Sequence, residues 1–215
     1  MINTVLVKIR KGGENMFAKN WMNTDFPQVR VSANVQEVLA MMRKYRVDYC
    51  VVTDEENKFE GLVYKNTLAN LQFDSTIGDY VIFPDFYVFE DSYIEEAALT
   101  FRESQEACLA VVDNDLIVKG VITLTEILEA FVAVTAMDEA GSRILLRLED
   151  KPGQLKRVFD VLAQNKMNVL AVNTVKDDGY RRVSIKVDTK ETEEVAKVLQ
   201  AYDINYDKIA KEEGF

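Results

Sequence analysis

A chain of 215 residues, 48% apolar, has room for one large or two smaller cores, and it holds no apolar run near the 18 residues a membrane span requires. A net charge of −10 argues against a surface that grips nucleic-acid phosphates, and the absence of histidine removes imidazole as general base and metal ligand. No signal-peptide pattern opens the chain, so a cytoplasmic protein without membrane contact is expected, with Cys50 and Cys108 reduced and buried.

The charge is unevenly spread. Residues 1–142 carry a net −11 and residues 143–215 a net +1, which places a domain boundary near 142. Residues 1–15 read as a leader ahead of a natural start at Met16. Lys11-Gly12-Gly13 is encodable by a bacterial ribosome-binding sequence just upstream of the Met16 codon. The competing expectation is an extra strand over 4–10, TVLVKIR.

An internal repeat organises residues 16–135. Residues 51–69, VVTDEENKFEGLVYKNTLA, and 110–128, AVVDNDLIVKGVITLTEIL, align at an offset of 59, with Asp54 on Asp113 and Gly61 on Gly120. In the first copy, 28–31 alternates as a strand. Ser32 or Asn34 caps a helix with Val35, Val38, Leu39 and Met42 inward. Strands at 49–52 and 59–64 flank a turn at 54–57, and a helix runs 66–71. The second copy repeats the β-α-β-β-α order. Its strand at 87–89 precedes a helix capped by Asp91 or Ser92, with Ile94, Ala97, Ala98 and Phe101 inward. Strands at 108–112 and 119–123 come next, and Thr125 caps a helix over 126–134. The two copies are expected to pack across their sheets.

A short polar hinge at 137–142 leads into a third unit, 143–215. Strands are expected at 143–149, 168–175, 180–187 and 204–209. Helices are expected after Pro152 and over 191–202, with a hairpin turn at Asp177-Asp178-Gly179. This β-α-β-β-α-β order is the ferredoxin-like pattern, so the fold class is α+β.

Two stretches carry ligand chemistry. In the second repeat, Gly120-Val121-Ile122-Thr123 leads into a helix start bearing Glu126. Amide groups at a helix start favour phosphate, a threonine hydroxyl can donate to it, and a carboxylate can accept from a ribose diol. The same Thr-x-x-Glu spacing is that of an ordinary helix cap, and spacing alone favours the cap. In the third unit, free N–H groups at Gly153, Gln154 and Leu155 can face a carboxylate, while Asp150 or Asn168 can accept from an ammonium group. Purely structural turn and cap roles fit these residues equally. Paired acids such as Glu95-Glu96 and Glu193-Glu194 sit at helix starts, where they complement the dipole.

The paired units, each with an apolar run, an Asp and a Gly-h-h-Thr-x-x-acid pattern (h, hydrophobic), resemble a tandem pair of CBS domains over 16–72 and 73–136, a Bateman-type module. That resemblance implies an AMP, ADP, ATP or related adenosyl ligand held by Thr123 and Glu126, with Ala110 and Val121 in the apolar slot. Two departures stand out. Glu126 replaces the usual Asp, and the first copy has Tyr64 and Thr67 at the Thr and acid positions, so only one site is expected to be competent. Residues 143–215, with Asp150-Lys151-Pro152-Gly153-Gln154-Leu155 and then Asn168, resemble an ACT domain, implying an amino-acid site at Asp150, Gly153, Gln154, Leu155 and Asn168. A CBS pair followed by one ACT unit is similar to the bacterial acetoin-utilisation B (AcuB) family.

The expectation is therefore a non-catalytic sensor of small-molecule effectors, forming a homodimer or higher even oligomer and signalling to a separate protein. A dimerising scaffold without ligand is the alternative. An enzyme is the least supported class, because no histidine, phosphate loop, nucleophile elbow or metal cluster is present in the sequence.

Overall fold

The computed structural model describes residues 16–81 and 86–214; the stretch read as a leader or extra strand lies outside the described residues. The fold is α+β as expected. The chain divides into two compact units at residues 129 and 130.

In the first unit, α1 (Ala18–Trp21), β1 (Gln28–Arg30), α2 (Val35–Tyr45), β2 (Tyr49–Thr53), β3 (Phe59–Tyr64) and α3 (Lys65–Leu68) form the first repeat. A 3₁₀ turn (Gly78–Tyr80), β4 (Val88–Phe89), α4 (Ile94–Ser104), β5 (Leu109–Val112), β6 (Val118–Ile122) and the start of α5 (Leu124–Val134) form the second. Each repeat has a three-stranded sheet, ordered β1-β2-β3 or β4-β5-β6, with a parallel and then an antiparallel pair.

The offset of 59 is visible atom by atom. Arg46 and Gln105 both end their helices in the left-handed region, and Asn57 and Leu116 both take positive φ in the strand turn. The register shifts at Val52/Thr53 and again at Val111/Val112. Asp54 Oδ1 accepts the N–H groups of Glu56 and Lys58 at 2.9 and 2.8 Å. Asp113 Oδ1 accepts those of Asp115 and Ile117 at 3.0 and 2.9 Å. The repeated aspartate therefore closes a turn around its own backbone donors.

The two sheets face each other. Tyr49, Val51, Phe59 and Leu62 from one pack with Cys108, Ala110, Val112, Val118 and Val121 from the other. The repeats also exchange their leading segments. Ala18 N–H donates to Ser92 O and Ile94 N–H to Met16 O, both at 2.8 Å. At the equivalent positions, Ile77 N–H donates to Ala33 O and Val35 N–H to Ser75 O, both at 3.0 Å. Ile77 is accordingly fully buried in the first repeat's core with Val35, Val38 and Met42.

Several local expectations need correction. Of the two residues expected to cap α2, Asn34 does so: its side chain accepts Glu37 N–H at 3.0 Å, and the Glu37 carboxylate accepts Asn34 N–H at 2.9 Å. Asp91 and Ser92 do not cap α4. The helix begins at Ile94, the Glu96 carboxylate accepts Tyr93 N–H at 3.2 Å, and Ser92 O is already committed to Ala18. The helix expected at 66–71 is the single turn α3.

The second unit holds the rest of α5, then β7 (Gly141–Glu149), α6 (Gln154–Gln164), β8 (Val169–Asp177), β9 (Tyr180–Val187), α7 (Thr192–Ala201) and β10 (Lys208–Glu212). The sheet order β10-β7-β9-β8 is the ferredoxin-like arrangement. Ile144, Leu146, Val183, Ile185 and Val187 bury against Val158, Leu162, Val195 and Leu199 of the two helices. The last strand lies later than the expected 204–209. Ile204 drops into the core after Asp203 turns through φ 53°, and pairing with β7 begins at Lys208.

The opposite face of this sheet carries a buried charge cluster. Lys186 is 0% exposed, and its ammonium donates to Glu212 Oε2 at 2.7 Å. Arg143 grips the same carboxylate through Nε at 2.6 Å and Nη2 at 2.9 Å, and Nη2 also donates to Thr135 O at 3.1 Å. The Arg143 guanidinium, then Lys186, holds the Glu212 carboxyl down to about 2 against the cost of its burial.

Candidate functional site

The second-repeat candidate is built by β5, β6 and α5. Antiparallel pairing sets Ala110 opposite Val121, and both are fully buried between the sheets. Asn23, from the exchanged leading segment, pairs with β6 from outside: its N–H donates to Val121 O at 2.8 Å, and Val121 N–H returns to Asn23 O at 3.0 Å. This approach is why residue 120 is glycine. A Cβ there would meet Asn23 O at 2.8 Å and the Met22 side chain at 2.9 Å.

β6 ends at Ile122 and α5 begins at Leu124, so Thr123 is the junction. This corrects the expected cap at Thr125. Glu126 Oε2 accepts Thr123 N–H at 2.8 Å and the Thr123 hydroxyl at 2.5 Å, while Thr123 Oγ1 accepts Thr125 N–H at 3.2 Å. Thr123 and Glu126 are thus brought together, both half-buried, and they bond to each other as a helix cap.

Tyr49 is a neighbour that a repeat-by-repeat reading misses. It belongs to the first repeat, is 8% exposed and packs in the shared core. Burial first, then the nearby Cys108 and Glu126, push its phenol up. Burial does the same to both thiols, Cys50 reaching about 12.

At the matching place in the first repeat, the Tyr64 hydroxyl donates to Glu106. Burial, then this bond, push the Tyr64 phenol up. Thr67 N–H is taken by the Asn66 side chain at 2.8 Å. No Thr-to-acid pair forms there, as the departures in sequence implied.

In the second unit, a cavity of about 750 Å³ opens beside the loop before α6. It brings together Asp150, Gly153, Gln154 and Leu155, with Phe159, Arg181 and Val183 behind them. Gly153 is selected by its φ of 87° and not by crowding, since a Cβ there would meet nothing within 4 Å. Asp150 accepts from Arg181 Nε at 2.8 Å. Arg181 is absent from the residues expected at this site, although β7–β9 pairing sets it opposite Leu148, beside the loop. Asn168 is not among the lining residues. Its N–H donates to Asp188 Oδ1 at 3.0 Å, and it anchors the entry to β8.

Among the described residues, no cluster of three or more His, Cys, Asp or Glu could hold a metal ion, and no helix is long and apolar enough to cross a membrane.

The Thr–acid junction of the second repeat and the loop cavity of the ferredoxin-like domain are two separate candidate sites on one chain. The CBS domain family matches residues 18–73 and 77–133, and the ACT domain family matches 142–203. The chain belongs to the CBS domain family, its CBS pair followed by an ACT domain. Both are regulatory domains, and no catalytic family is indicated.

A CBS domain pair/ACT domain protein from Thermotoga maritima is 43% identical, with a TM-score of 0.52 over 54% of this chain and 97% of that one. The cytosolic domain of the Mg²⁺ channel MgtE, solved in complex with ATP, is 24% identical, with a TM-score of 0.50 over 54% of this chain and 49% of that one; it shares the fold. The carnitine transport ATP-binding protein OpuCA of Listeria monocytogenes is 24% identical over 109 residues, 50% of this chain. The match spans 28% of that curated relative's length.

Proposed function

We propose that this protein is a non-catalytic sensor that binds an adenosine nucleotide such as AMP, ADP or ATP at Thr123 and Glu126 of the second repeat. The observation that carries the reading is the junction itself. A strand delivers a hydroxyl and a carboxylate to one helix start in the second repeat, while the first repeat has a tyrosine hydrogen-bonded elsewhere. Ala110 and Val121, an antiparallel pair buried between the sheets, are assigned its apolar side. ATP in the related cytosolic domain of MgtE supports a nucleotide in this fold.

The second unit takes a small amino acid in the loop cavity. Gly153, Gln154 and Leu155 face the carboxylate, and Asp150 faces the ammonium group once it leaves Arg181. The protein is cytoplasmic and works as a homodimer or higher even oligomer, consistent with Leu124 and Leu128 standing more than half exposed one turn apart on α5. It signals to a separate protein partner, in the manner of the AcuB family, and the identity of that partner decides whether acetoin utilisation is the regulated process.

One observation favours the scaffold reading: Thr123 and Glu126 satisfy each other as a cap without any ligand. A thermal-shift and calorimetric screen of AMP, ADP, ATP and the amino acids separates the two. A ligand that binds only the folded state raises its stability. Nucleotide stabilisation that disappears in Thr123→Ala/Glu126→Ala supports the site. Stabilisation that persists in that variant refutes the assignment, and no response to any ligand favours the scaffold.

A further inference from the structure

We propose that Glu126 is a self-closing gate on the second-repeat site: its extra length folds the carboxylate back onto Thr123, so that nucleotide binds only after that contact opens. The inference rests on the nucleotide reading above and concerns what sets the affinity of that site.

The geometry is explicit. A single oxygen, Glu126 Oε2, takes both the N–H of Thr123 at 2.8 Å and its hydroxyl proton at 2.5 Å. The hydroxyl oxygen is occupied in turn by Thr125 N–H at 3.2 Å. The proton that Thr123 would offer to a phosphate is therefore already given to Glu126. The carboxylate that would meet a ribose diol is turned toward its own helix start. Both ligand-facing groups are consumed by one internal contact, and a ligand has to break it to use either.

The side chain's length decides this. A glutamate at the third helical position reaches back to the residue before the helix, closing a capping box. An aspartate keeps the charge but is one methylene shorter, so its reach back to the Thr123 amide and hydroxyl is shorter and that reciprocal contact is held less fully.

The closed state acts on the ligand in two ways. If it is favoured about tenfold, the apparent Kd rises about tenfold, because only the open fraction binds. It also selects for ligands carrying both a ribose diol and a phosphate, which can replace both halves of the contact. Adenosine, with no phosphate, replaces only the carboxylate's half and is disfavoured relative to AMP.

The experiment is calorimetric titration of the full chain with AMP, ADP and ATP, comparing the wild type with Glu126→Asp, alongside site-resolved hydrogen exchange of the Thr123 amide without ligand. The gate predicts nucleotide binding about tenfold tighter in Glu126→Asp, and a Thr123 amide exchanging about tenfold faster. Wild-type binding that is equalled or weakened by Glu126→Asp overturns the gate and leaves Glu126 a ribose ligand at its present length. An unchanged Thr123 exchange rate overturns it independently of any ligand. Absence of nucleotide binding in both proteins overturns the nucleotide reading and the gate together.

Discussion

Replacing Glu212 by glutamine removes the carboxylate that accepts from both Lys186 and Arg143. Lys186 is 0% exposed, and the Arg143 side chain is 16% exposed. Without Glu212 these two cations are left close together in a poorly hydrated place. In the wild type, Arg143 and Lys186 hold the Glu212 carboxyl at about 2, down from an ordinary 4.5. A depression of that size corresponds to about 3 kcal/mol of folding stability, an upper value because the side chain keeps 29% exposure. The sign is set by the direction of the shift. The folded carboxyl is the stronger acid, so the contribution is complete above the unfolded value near 4.5 and is lost as pH falls toward 2. Removing one partner of a buried pair costs about 3–5 kcal/mol in general, in line with this figure. Native-state hydrogen exchange at pH 7, followed on β9 and β10, should report a stability loss of about 3 kcal/mol in Glu212→Gln, and Lys186→Met in the same chain should recover much of it. The variant should also lose the wild type's extra acid sensitivity between about pH 4.5 and 2. An exchange stability within about 0.5 kcal/mol of the wild type, or an acid profile parallel to it, would refute the reasoning.

Gly120→Ala should lower stability by about 1–3 kcal/mol in urea titration, because its Cβ would press on the Asn23 backbone oxygen, in a segment held by two bonds to Val121. Leu162→Ala should cost about 2–5 kcal/mol by the same measurement, since its side chain is fully buried between the ferredoxin-like sheet and helices. Neither Cys50 nor Cys108 should react with a thiol reagent in the native protein at pH 8, and both should react in denaturant, because both are fully buried and protonated. Tyr64→Thr with Thr67→Asp should give the first repeat a Thr–acid junction of its own and raise the calorimetric nucleotide stoichiometry toward two per chain; an unchanged stoichiometry counts against the assigned role of that junction.

The repeat was legible because side-chain chemistry recurs in it. Asp54 and Asp113 each close a turn around two amides, and Gly61 and Gly120 sit at matching strand positions. The ferredoxin-like order was legible for a similar reason, as strand alternation and helical spacing converge on one core. The exchange of leading segments was not. It is carried by main-chain bonds such as Ala18 N–H to Ser92 O, which demand no particular side chain. Lys186 was equally hidden. Its strand places it on the polar face with Arg182 and Ser184, and its partners Arg143 and Glu212 come from two other strands. At the site, sequence placed Thr123 and Glu126 together but not which way the carboxylate turns, which depends on one methylene and one torsion.

The crossed leading segments bear on how such a pair ages. Residues 16–23 serve the second repeat and residues 75–81 the first, so neither copy can be excised or fold as a contiguous piece without leaving its counterpart's core open. Each copy is thereby kept under constraint by the other, whatever becomes of its ligand chemistry. The first copy has Tyr64 and Thr67 where the second has Thr123 and Glu126, yet it shares the turn-closing Asp54, Gly61 and a left-handed Arg46 with it. An interlocked duplication lets the two junctions differ in chemistry while neither half can be discarded.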